Sequence, residues 1–319
     1  MKKKIILVFG DPNSINSEII FKSWKKLDGS VKKRIYLVAN YNLILSQFKK
    51  LNYKIKCILV DTIYEKHNSD SLKIININVK FKSPFLLSRE SSSKFINQSL
   101  TFAHKLALDK NVAGIINCSI NKKLLSNKKI GVTEFLSNKC NLKKNSEIML
   151  IYNKSLSVIP LTTHLDLKKV SSTISKSMII NKILKTRYWF KKNFRIDPKI
   201  AVLGLNPHNG EMRKNSEEIK KILPAVQSLK KHKLKIDGPL VADTIFIKDF
   251  KDYDIIVGMY HDQVLGPFKT LFKFDGINIT LGLKYLRVSP DHGTAVNLIG
   301  KNKANPESLL KCINFISKF

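Results

Sequence analysis

Residues 254–294 read DIIVGMYHDQVLGPFKTLFKFDGINITLGLKYLRVSPDHGT, and the rest of the chain is organised around this stretch. The mostly apolar run 254–260 ends in His-Asp-Gln at 261–263, so a buried strand delivers three polar groups at its carboxyl end. Open α/β sheets bind ligands at that edge. A second apolar segment, Gly-Ile-Asn-Ile-Thr-Leu-Gly, leads through Arg287 to Asp-His-Gly-Thr at 291–294. The pattern predicts two strands that bring histidines, cationic side chains and glycine turns to a functional site.

The composition indicates a globular protein with an excess of positive charge. At 319 residues the chain has room for about two domains, and its 43% hydrophobic content suits a large core. A formal net charge of +33 raises nucleic acid or an anionic membrane as partners. The positive residues are almost all Lys, however, and they are dispersed rather than grouped in an Arg-rich stripe. We interpret them as solvated lysines that attract anionic substrates, and we expect neither a nucleic acid nor a membrane partner.

The cysteines and the amino-terminal segment predict a cytoplasmic protein. The four cysteines are far apart and show no paired spacing, which favours neither a zinc knuckle nor a disulfide framework. The start MKKKIILVFG resembles the basic region of a signal peptide, but its apolar run is short and meets Asp11-Pro12, so it is predicted to be a first strand. No apolar stretch approaches the roughly 18 residues that span a bilayer.

Apolar runs rich in β-branched residues alternate with helical segments along the chain. Strands are predicted at 5–9, 35–38, 57–60, 75–79, 113–117, 148–152, 156–161, 200–205, 254–260 and around Ile277. Helices are predicted at 167–194, at 217–230, after Asn305-Pro306, and where Ile96, Leu100, Ala103 and Ala107 share one face. This alternation predicts an α/β fold whose mostly parallel sheet is covered on both faces.

Three histidines follow predicted strands directly, namely His164, His208 and His261. Three imidazoles around an open position make a Lewis-acid site for a divalent metal. The intervals 164–208 and 208–261 match no local ligand motif, so the alternative that each histidine caps a loop by hydrogen bonds stays open at this point. We interpret as surface residues the histidines in polar or Lys-rich surroundings, His67, His104 and His232.

Glycine-rich phosphate motifs are not found. No G-x-G-x-x-G follows a predicted strand, and residues 293–301 have neither the spacing nor the Ser/Thr of a P-loop. A nicotinamide enzyme would therefore need another device for binding its cofactor.

Six segments resemble, in their order along the chain, motifs of the 4-hydroxythreonine-4-phosphate dehydrogenase family. They are Thr-Thr-His at 162–164, Gly-Leu-Asn-Pro-His-Asn-Gly-Glu at 204–211, Gly-Pro-Leu-Val-Ala-Asp-Thr at 238–244, Tyr-His-Asp-Gln at 260–263, Asn-Ile-Thr-Leu-Gly-Leu at 278–283 and Asp-His-Gly-Thr at 291–294. The resemblance covers nearly the whole chain and is most specific from Thr133 onward. It implies a three-layer α/β/α fold of the isocitrate/isopropylmalate dehydrogenase type, with two subdomains and a cleft between them. Subdomain 1 is expected at residues 1–125 plus 290–319, and the dimerising subdomain 2 at residues 126–289.

The resemblance also implies the residues of a site. A divalent metal (Zn, Mg or Co) is expected at the interface of a homodimer, held by the residues that match His164, His208 and His261. Contacts with a small phosphorylated substrate fall on Thr133, Lys269, Asn278 and Arg287. The tail 292–306 is similar to the adenine-binding loop of the wider superfamily, which implies NAD or NADP at His292, Gly293, Thr294 and Asn305.

Two acidic residues, Asp243 and Asp262, are candidate proton acceptors or hydrogen-bond partners of the metal-binding histidines. The alternatives, a helix cap near Thr244 for Asp243 and a turn position for Asp262, stay open.

The implied reaction is the NAD-dependent, metal-assisted oxidation of 4-phosphooxy-L-threonine to 2-amino-3-oxo-4-phosphooxybutanoate. This product decarboxylates to 3-amino-2-oxopropyl phosphate, in the biosynthesis of pyridoxine 5'-phosphate. A metal suits both steps, because one cation acidifies the alcohol and stabilises the enolate that forms when carbon dioxide leaves. Lys269 and Arg287 suit a phosphate or a carboxylate, since guanidinium binds two oxygens at once.

Two segments depart from the family's pattern. After Gly-Asp-Pro at 10–12 the family has glycines and a proline, whereas this chain reads Asn-Ser-Ile-Asn-Ser-Glu at 13–18. The family's Gly-His-Thr-Glu-Phe-Leu reads Gly-Val-Thr-Glu-Phe-Leu at 131–136, after a shortened loop from Lys122, so Val132 replaces a substrate-contacting His. Two alternatives follow: a dehydrogenase of threonate or erythronate 4-phosphate, and a non-catalytic homologue that binds metal or phosphate.

Overall fold

The computed structural model describes residues 2–65, 67, 70–125, 131–142 and 146–319. By its contacts the chain divides into two compact units, Met1–Lys144 with Leu283–Phe319 and Asn145–Gly282. Across the described ranges, no helix combines the length and the apolar character needed to cross a membrane.

The first unit holds parallel strands with helices between them. The strands are β1 (Lys4–Val8), β2 (Ile35–Ala39), β3 (Cys57–Leu59), β4 (Leu72–Asn76), β5 (Val112–Asn117) and β12 (Leu286–Pro290). They lie side by side in the order β3-β4-β2-β1-β5-β12, and each neighbouring pair is parallel. The helices are α1 (Asn16–Lys26), α2 (Gly29–Lys32), α3 (Tyr41–Lys50), α4 (Arg89–Ala107), α5 (Val132–Lys139) and α11 (Glu307–Ile316), with short 3-10 turns at Lys122–Leu124 and Val296–Leu298.

The second unit combines parallel and antiparallel strands. The strands are β6 (Ile148–Tyr152), β7 (Ser157–Thr162), β8 (Ile200–Leu203), β9 (Ile236–Leu240), β10 (Ile255–Tyr260) and β11 (Ile277–Leu281). Their order is β11-β6-β7-β10-β8-β9, and only β6 runs against its neighbours. The helices are α6 (Val170–Thr173), α7 (Lys176–Phe194), α8 (Leu223–Lys231), α9 (Ala242–Ile245) and α10 (His261–Phe272), with a π-helical turn at Glu218–Ile222 and 3-10 turns at Leu167–Lys169 and Asp249–Asp252.

The central strands are buried along their whole length, which requires a layer of helices on each face. Every residue of β2, β5, β7 and β8 is buried. In the first unit α4 and α11 pack against β5, and in the second α7 and α10 pack against β7. The apolar face of α4 is the one predicted, since Ile96, Leu100, Ala103 and Ala107 are all buried. The predicted α/β fold with a mostly parallel, doubly covered sheet is confirmed.

Two predicted elements have different bounds, and each has a local cause. The helix predicted at 167–194 is broken, because the Ser175 hydroxyl accepts a hydrogen bond from Met178 N (3.2 Å) and caps a new helix, α7. The strand predicted at 75–79 lies earlier, at β4, and includes the buried Lys73. That lysine is accommodated because its ammonium donates to Lys32 O (3.1 Å) and lies over the Tyr36 ring. Burial lowers its pKa to about 8.

Strands β9 and β12 were not predicted. Each interrupts its apolar run with residues that weaken strand propensity, Gly238 and Pro239 in β9 and Arg287 and Pro290 in β12. β9 lies at the edge of its unit's strand order, where a proline removes no ladder hydrogen bond.

The interpretation of His104 as a surface residue was wrong. His104 lies on the buried face of α4, and its Nδ1 is 2.9 Å from the hydroxyl of Tyr285. Burial, together with the nearby Lys139 and Lys284, lowers the pKa of this imidazole. The side chain is therefore a neutral hydrogen-bond partner of the Tyr285 hydroxyl rather than a solvated cation.

Truncation of the α4 core should destabilise the first unit. Leu100→Ala removes a fully buried side chain, so we expect the free energy of unfolding to fall by about 2–5 kcal/mol. Chemical denaturation measures this loss, with Leu108→Ala as the control because Leu108 is 53% exposed at the end of the same helix. Equal losses for both variants would contradict the assignment of this face to the core.

Candidate functional site

His164 and His261 lie next to each other at the carboxyl ends of two adjacent parallel strands. β7 pairs with β10 so that Thr162 is opposite Tyr260, which places the two histidines just beyond this edge. Their ring centres are 6.0 Å apart and the ring planes are inclined by 32°. Both side chains can be reached from solvent. The strand ends thus bring together two imidazoles 97 positions apart in sequence, since 261 − 164 = 97.

His208 lies in a different setting. It follows β8 in a segment with left-handed backbone, where φ is +50° at His208, and its side chain is 75% exposed. Its Nε2 is 3.9 Å from Oδ2 of Asp243. Within the described part of the chain, no three His, Cys, Asp or Glu side chains converge in a way that could hold a metal ion. The structure therefore brings together two of the three predicted ligands in one chain.

The two candidate acidic residues each lie beside a histidine. Oδ1 of Asp262, in the first turn of α10, is 2.6 Å from Nδ1 of His261. A carboxylate only accepts, so this contact puts the proton on Nδ1 and leaves the Nε2 lone pair available to a ligand. Asp243 lies inside the first turn of α9, whose N-cap is Val241, so the helix-cap alternative for Asp243 was wrong.

Lys269 and Asn278 both lie in the second unit. Lys269 is exposed on the last turn of α10, where a cation also complements the helix dipole. Asn278 lies on β11, and its Oδ1 is buried with no hydrogen-bond partner among the described residues. Buried polar atoms in native proteins are nearly always paired, so this oxygen lacks the partner that such an atom normally has.

In the first unit, Arg287 and Thr133 are linked by hydrogen bonds. Arg287, on β12, is 3% exposed, and its Nε donates to Oδ1 of Asn117 at the end of β5 (2.7 Å). Its Nη1 donates to Oγ1 of Thr133 in the first turn of α5 (3.4 Å). Burial lowers the pKa of the guanidinium to about 10, so the group stays cationic at neutral pH. The interpretation of Arg287 as more than a solvated surface charge agrees with this burial.

One ring nitrogen of His292 has hydrogen-bond partners, and the other has none among the described residues. Its Nδ1 is 2.9 Å from Gly293 O and 3.0 Å from Oγ of Ser119. Its Nε2 is buried and has no hydrogen-bond partner among the described residues. Burial is the main cause that lowers the pKa of His292, which keeps the ring neutral near pH 7. A neutral ring whose Nδ1 carries the proton presents Nε2 as an acceptor.

The other candidate cofactor residues surround the end of β12 and the start of α11. Gly293 is exposed, and Thr294 O accepts a hydrogen bond from Ile15 N (3.2 Å). Asn305 is exposed, and its Oδ1 accepts from Glu307 N (2.9 Å), so it supports the first turn of α11.

Sequence reasoning missed Asn117 and Ser119, which contact Arg287 and His292. Both stand in Asn-Cys-Ser at 117–119, where the fully buried β5 ends. The same rule that selected the histidines, a polar group directly after an apolar strand, would have selected these two residues.

The altered segment after Gly10 is built into the first unit by side-chain hydrogen bonds. Gly10 itself has φ of +81°, and a Cβ there would lie 2.6 Å from Ser119 O, so glycine is required. Asn16, in the divergent part, is fully buried and its Nδ2 donates to Ser119 O (2.8 Å) and Asp11 O (3.3 Å). The shortened loop predicted between Lys122 and Val132 lies partly outside the described residues, since 126–130 are not described.

Comparison with known proteins identifies related sequences over nearly the whole length. A family model described as "Pyridoxal phosphate biosynthetic protein PdxA" matches residues 31–316. A 4-hydroxythreonine-4-phosphate dehydrogenase of Aquifex aeolicus is 39% identical over 322 residues, which cover 99% of this chain and 98% of the relative. A provisionally named D-threonate 4-phosphate dehydrogenase of Oceanobacillus iheyensis is 33% identical over 331 residues, covering 98% and 97%.

Solved structures show the same fold. The 4-hydroxythreonine-4-phosphate dehydrogenase of Klebsiella pneumoniae matches with a TM-score of 0.86 at 29% identity, over 99% of this chain and 98% of that chain. A terephthalate 1,2-cis-dihydrodiol dehydrogenase of Burkholderia xenovorans matches with a TM-score of 0.65 at 18% identity, over 99% and 97%, and shares the fold alone.

Replacing the buried guanidinium should cost stability even though charge is kept. Arg287→Lys cannot direct donors to both Asn117 and Thr133, so we expect the free energy of unfolding to fall by about 1–3 kcal/mol because a buried acceptor loses its partner. The exposed Arg89 provides the control Arg89→Lys, measured in the same denaturation experiment. An unchanged stability for Arg287→Lys would show that these hydrogen bonds contribute little.

Proposed function

Because the chain belongs to the PdxA family of pyridoxal phosphate biosynthetic proteins, we propose that it oxidises 4-phosphooxy-L-threonine with NAD in vitamin B6 biosynthesis. The product, 2-amino-3-oxo-4-phosphooxybutanoate, then loses carbon dioxide to give 3-amino-2-oxopropyl phosphate. The observation that carries the proposal is that relatives named for this activity are 36% and 39% identical along at least 97% of the chain. A cytoplasmic location is part of the proposal and is supported by the four cysteines, which are all free thiols.

We assign one divalent ion, Zn, Mg or Co, to His164, His208 and His261. Two imidazoles that bind one metal at about 2.0–2.1 Å with tetrahedral geometry have ring centres about 5 Å apart, and the 6.0 Å between the rings of His164 and His261 is within about 1 Å of that separation. The donor set and this spacing therefore fit such an ion. When bound, a divalent ion polarises the alcohol and stabilises the enolate charge. Within the described residues of one chain no third ligand joins this pair, so we propose that His208 completes the set in a homodimer.

The chain's own residues bind the substrate and move protons. Asp262 fixes the tautomer of His261, and we assign the role of proton acceptor to Asp243, which is 3.9 Å from His208. Asn278 offers the buried Oδ1 to a donor such as an ammonium group. Lys269 supplies a reachable cation for a phosphate or carboxylate.

Thr133 and Arg287 form the second anion-binding element of the proposal. The half-buried Thr133 hydroxyl is at the start of α5, and the buried guanidinium behind it supplies a fixed positive charge. In a low-dielectric setting such a charge acts more strongly on an anion than a solvated lysine does.

We assign NAD or NADP to His292, Gly293, Thr294 and Asn305. The supporting observation is the orphaned Nε2 of His292, a buried acceptor that a donor on the cofactor would satisfy. Gly293 has no neighbouring heavy atom within 4 Å of the position of a Cβ, so a ligand can approach its backbone closely.

A second candidate substrate is D-threonate or erythronate 4-phosphate. It is favoured by the relative named for D-threonate 4-phosphate and by Val132, an apolar residue beside the substrate-binding Thr133. A non-catalytic homologue that only binds metal or phosphate is the third alternative, and the absence of turnover on all three acids would favour it.

The central test is whether the purified protein forms NADH from 4-phosphooxy-L-threonine, NAD and a divalent cation. Each of His164→Ala, His208→Ala and His261→Ala should abolish both stoichiometric metal, measured by elemental analysis, and NADH formation, because each removes a ligand. His232→Ala is the matched control, since His232 is exposed and stands apart from these three. Full metal occupancy in all three variants would refute the assignment.

A substitution at Val132 distinguishes the two substrate classes. If the apolar residue only loosens phosphate binding, Val132→His should lower KM for 4-phosphooxy-threonine about 10- to 150-fold, the equivalent of one hydrogen bond to a charged group. Turnover should change little, because a contact made equally in ground and transition states affects binding alone. Steady-state kinetics on threonine and threonate phosphates measures this, with Val132→Ile as control. If Val132→His does not lower KM for 4-phosphooxy-threonine, and the wild type is highly active on threonate or erythronate phosphate, the pocket is instead assigned to those acids.

A further inference from the structure

Three polar contacts tie together the strand ends that carry the predicted metal ligands. The Thr162 hydroxyl donates to Met259 O (2.7 Å), which joins β7 to β10. Met259 N donates to Oε1 of Gln263 (2.7 Å), and Nε2 of Gln263 donates to Gly204 O (2.7 Å), which joins β10 to the segment after β8. Met259 is two residues before His261, and Gly204 is four residues before His208. We call the two bonds of the Gln263 amide the Gln263 bridge.

The Gln263 bridge is built into the core of the second unit. Gln263 is in the first turn of α10 and is buried, so both ends of its amide are used on backbone groups away from water. Gly258 leaves room for it, because a Cβ at that position would lie 2.9 Å from Gln263 Oε1 and 2.5 Å from Val264 Cγ1. Close packing together with the two hydrogen bonds of the amide restricts the Gln263 side chain, and with it the distance between Met259 and Gly204.

The path from Gly204 to His208 is also fixed. The buried carboxylate of Glu218 accepts from Leu205 N and Asn206 N, each at 2.8 Å. Beyond it, the backbone is left-handed at five consecutive positions, with φ between +50° and +57° at 208–212. L-residues adopt this conformation only when their surroundings enforce it. The position of His208 therefore depends on where Gly204 is held.

We propose that Gln263 is a positioning residue for the metal-binding histidines: in each subunit of the homodimer it anchors, through Gly204 and Met259, the segments that lead to His208 and to His261. This inference rests on the proposed function, in which these histidines bind a divalent ion. Residues that orient metal ligands without touching the metal typically change metal affinity about 10- to 100-fold when they are replaced. A glutamine that only satisfied two buried backbone groups would affect stability and leave the affinity of the folded protein unchanged.

The experiment compares two neutral substitutions of Gln263 with a matched control. Gln263→Met keeps the length but removes both hydrogen bonds, and Gln263→Asn keeps the amide but is too short to reach both backbone groups. Gln227→Met makes the same change on the exposed face of α8 in the same unit. Circular dichroism and thermal unfolding of the metal-free proteins establish that each variant is folded. Calorimetric titration with Co²⁺, together with its visible absorption spectrum, then measures metal binding without any turnover.

We expect the folded Gln263 variants to bind Co²⁺ about 10- to 100-fold more weakly than the wild type, with an altered Co²⁺ spectrum and an unchanged KM for NAD. Gln227→Met should match the wild type. Wild-type affinity and spectrum in a folded Gln263 variant would overturn the proposal, and Gln263→Asn decides if Gln263→Met does not fold. If the wild type forms NADH and binds Co²⁺ while a folded Gln263 variant binds Co²⁺ equally well, only this inference fails and the proposed function stands. A wild type that binds no Co²⁺ would overturn both the metal assignment and the inference.

Discussion

Burial of the central strands on both faces is the constraint on which the rest of the structure depends. Such a strand cannot carry a solvated charge along its length, because a buried charge without a partner loses its hydration. Most of the candidate site residues therefore lie at the strand ends and in the first turns that follow. His164 comes two residues after β7, His261 directly after β10, and His208 soon after β8. The same constraint accounts for Asn117 and Ser119 at the end of β5.

Arg287, like Lys73 in β4, is an exception, a cation within a buried strand. Its place is stabilised by Asn117 and Thr133, which accept from different nitrogens of the guanidinium. This chain uses lysine almost everywhere for positive charge, yet a lysine ammonium has no fixed geometry to satisfy two acceptors on different elements. Burial lowers the pKa of Arg287 only to about 10, so its charge persists at neutral pH. The result is a permanent positive centre behind the Thr133 hydroxyl.

The two departures from the family's sequence pattern differ in their structural consequences. In the segment after Gly10, the buried side chain of Asn16 donates to Ser119 O, so this divergent residue is tied to the end of β5 by a hydrogen bond. Val132 itself can make no such contact, since an isopropyl group offers no hydrogen bond at the start of α5. In the proposed function, the second departure is the one that bears on the choice between threonine and threonate phosphates. Relatives named for each activity match this chain along nearly its whole length.

The sequence by itself determined the alternation of strands and helices, the buried face of α4, and the strand ends where polar groups collect. It could do so because burial imposes a periodicity of apolar residues that can be seen in short stretches of sequence. Its motifs also identified the family and the candidate ligands. Only the tertiary structure decided that β6 runs antiparallel, that Arg287 pairs with Asn117, and that Gln263 joins Met259 to Gly204. The Gln263–Gly204 contact spans 59 positions in the sequence and the Arg287–Asn117 contact spans 170. Such contacts, like strand direction, follow from packing between distant segments. No local pattern in the sequence shows which distant group will complete a buried hydrogen bond.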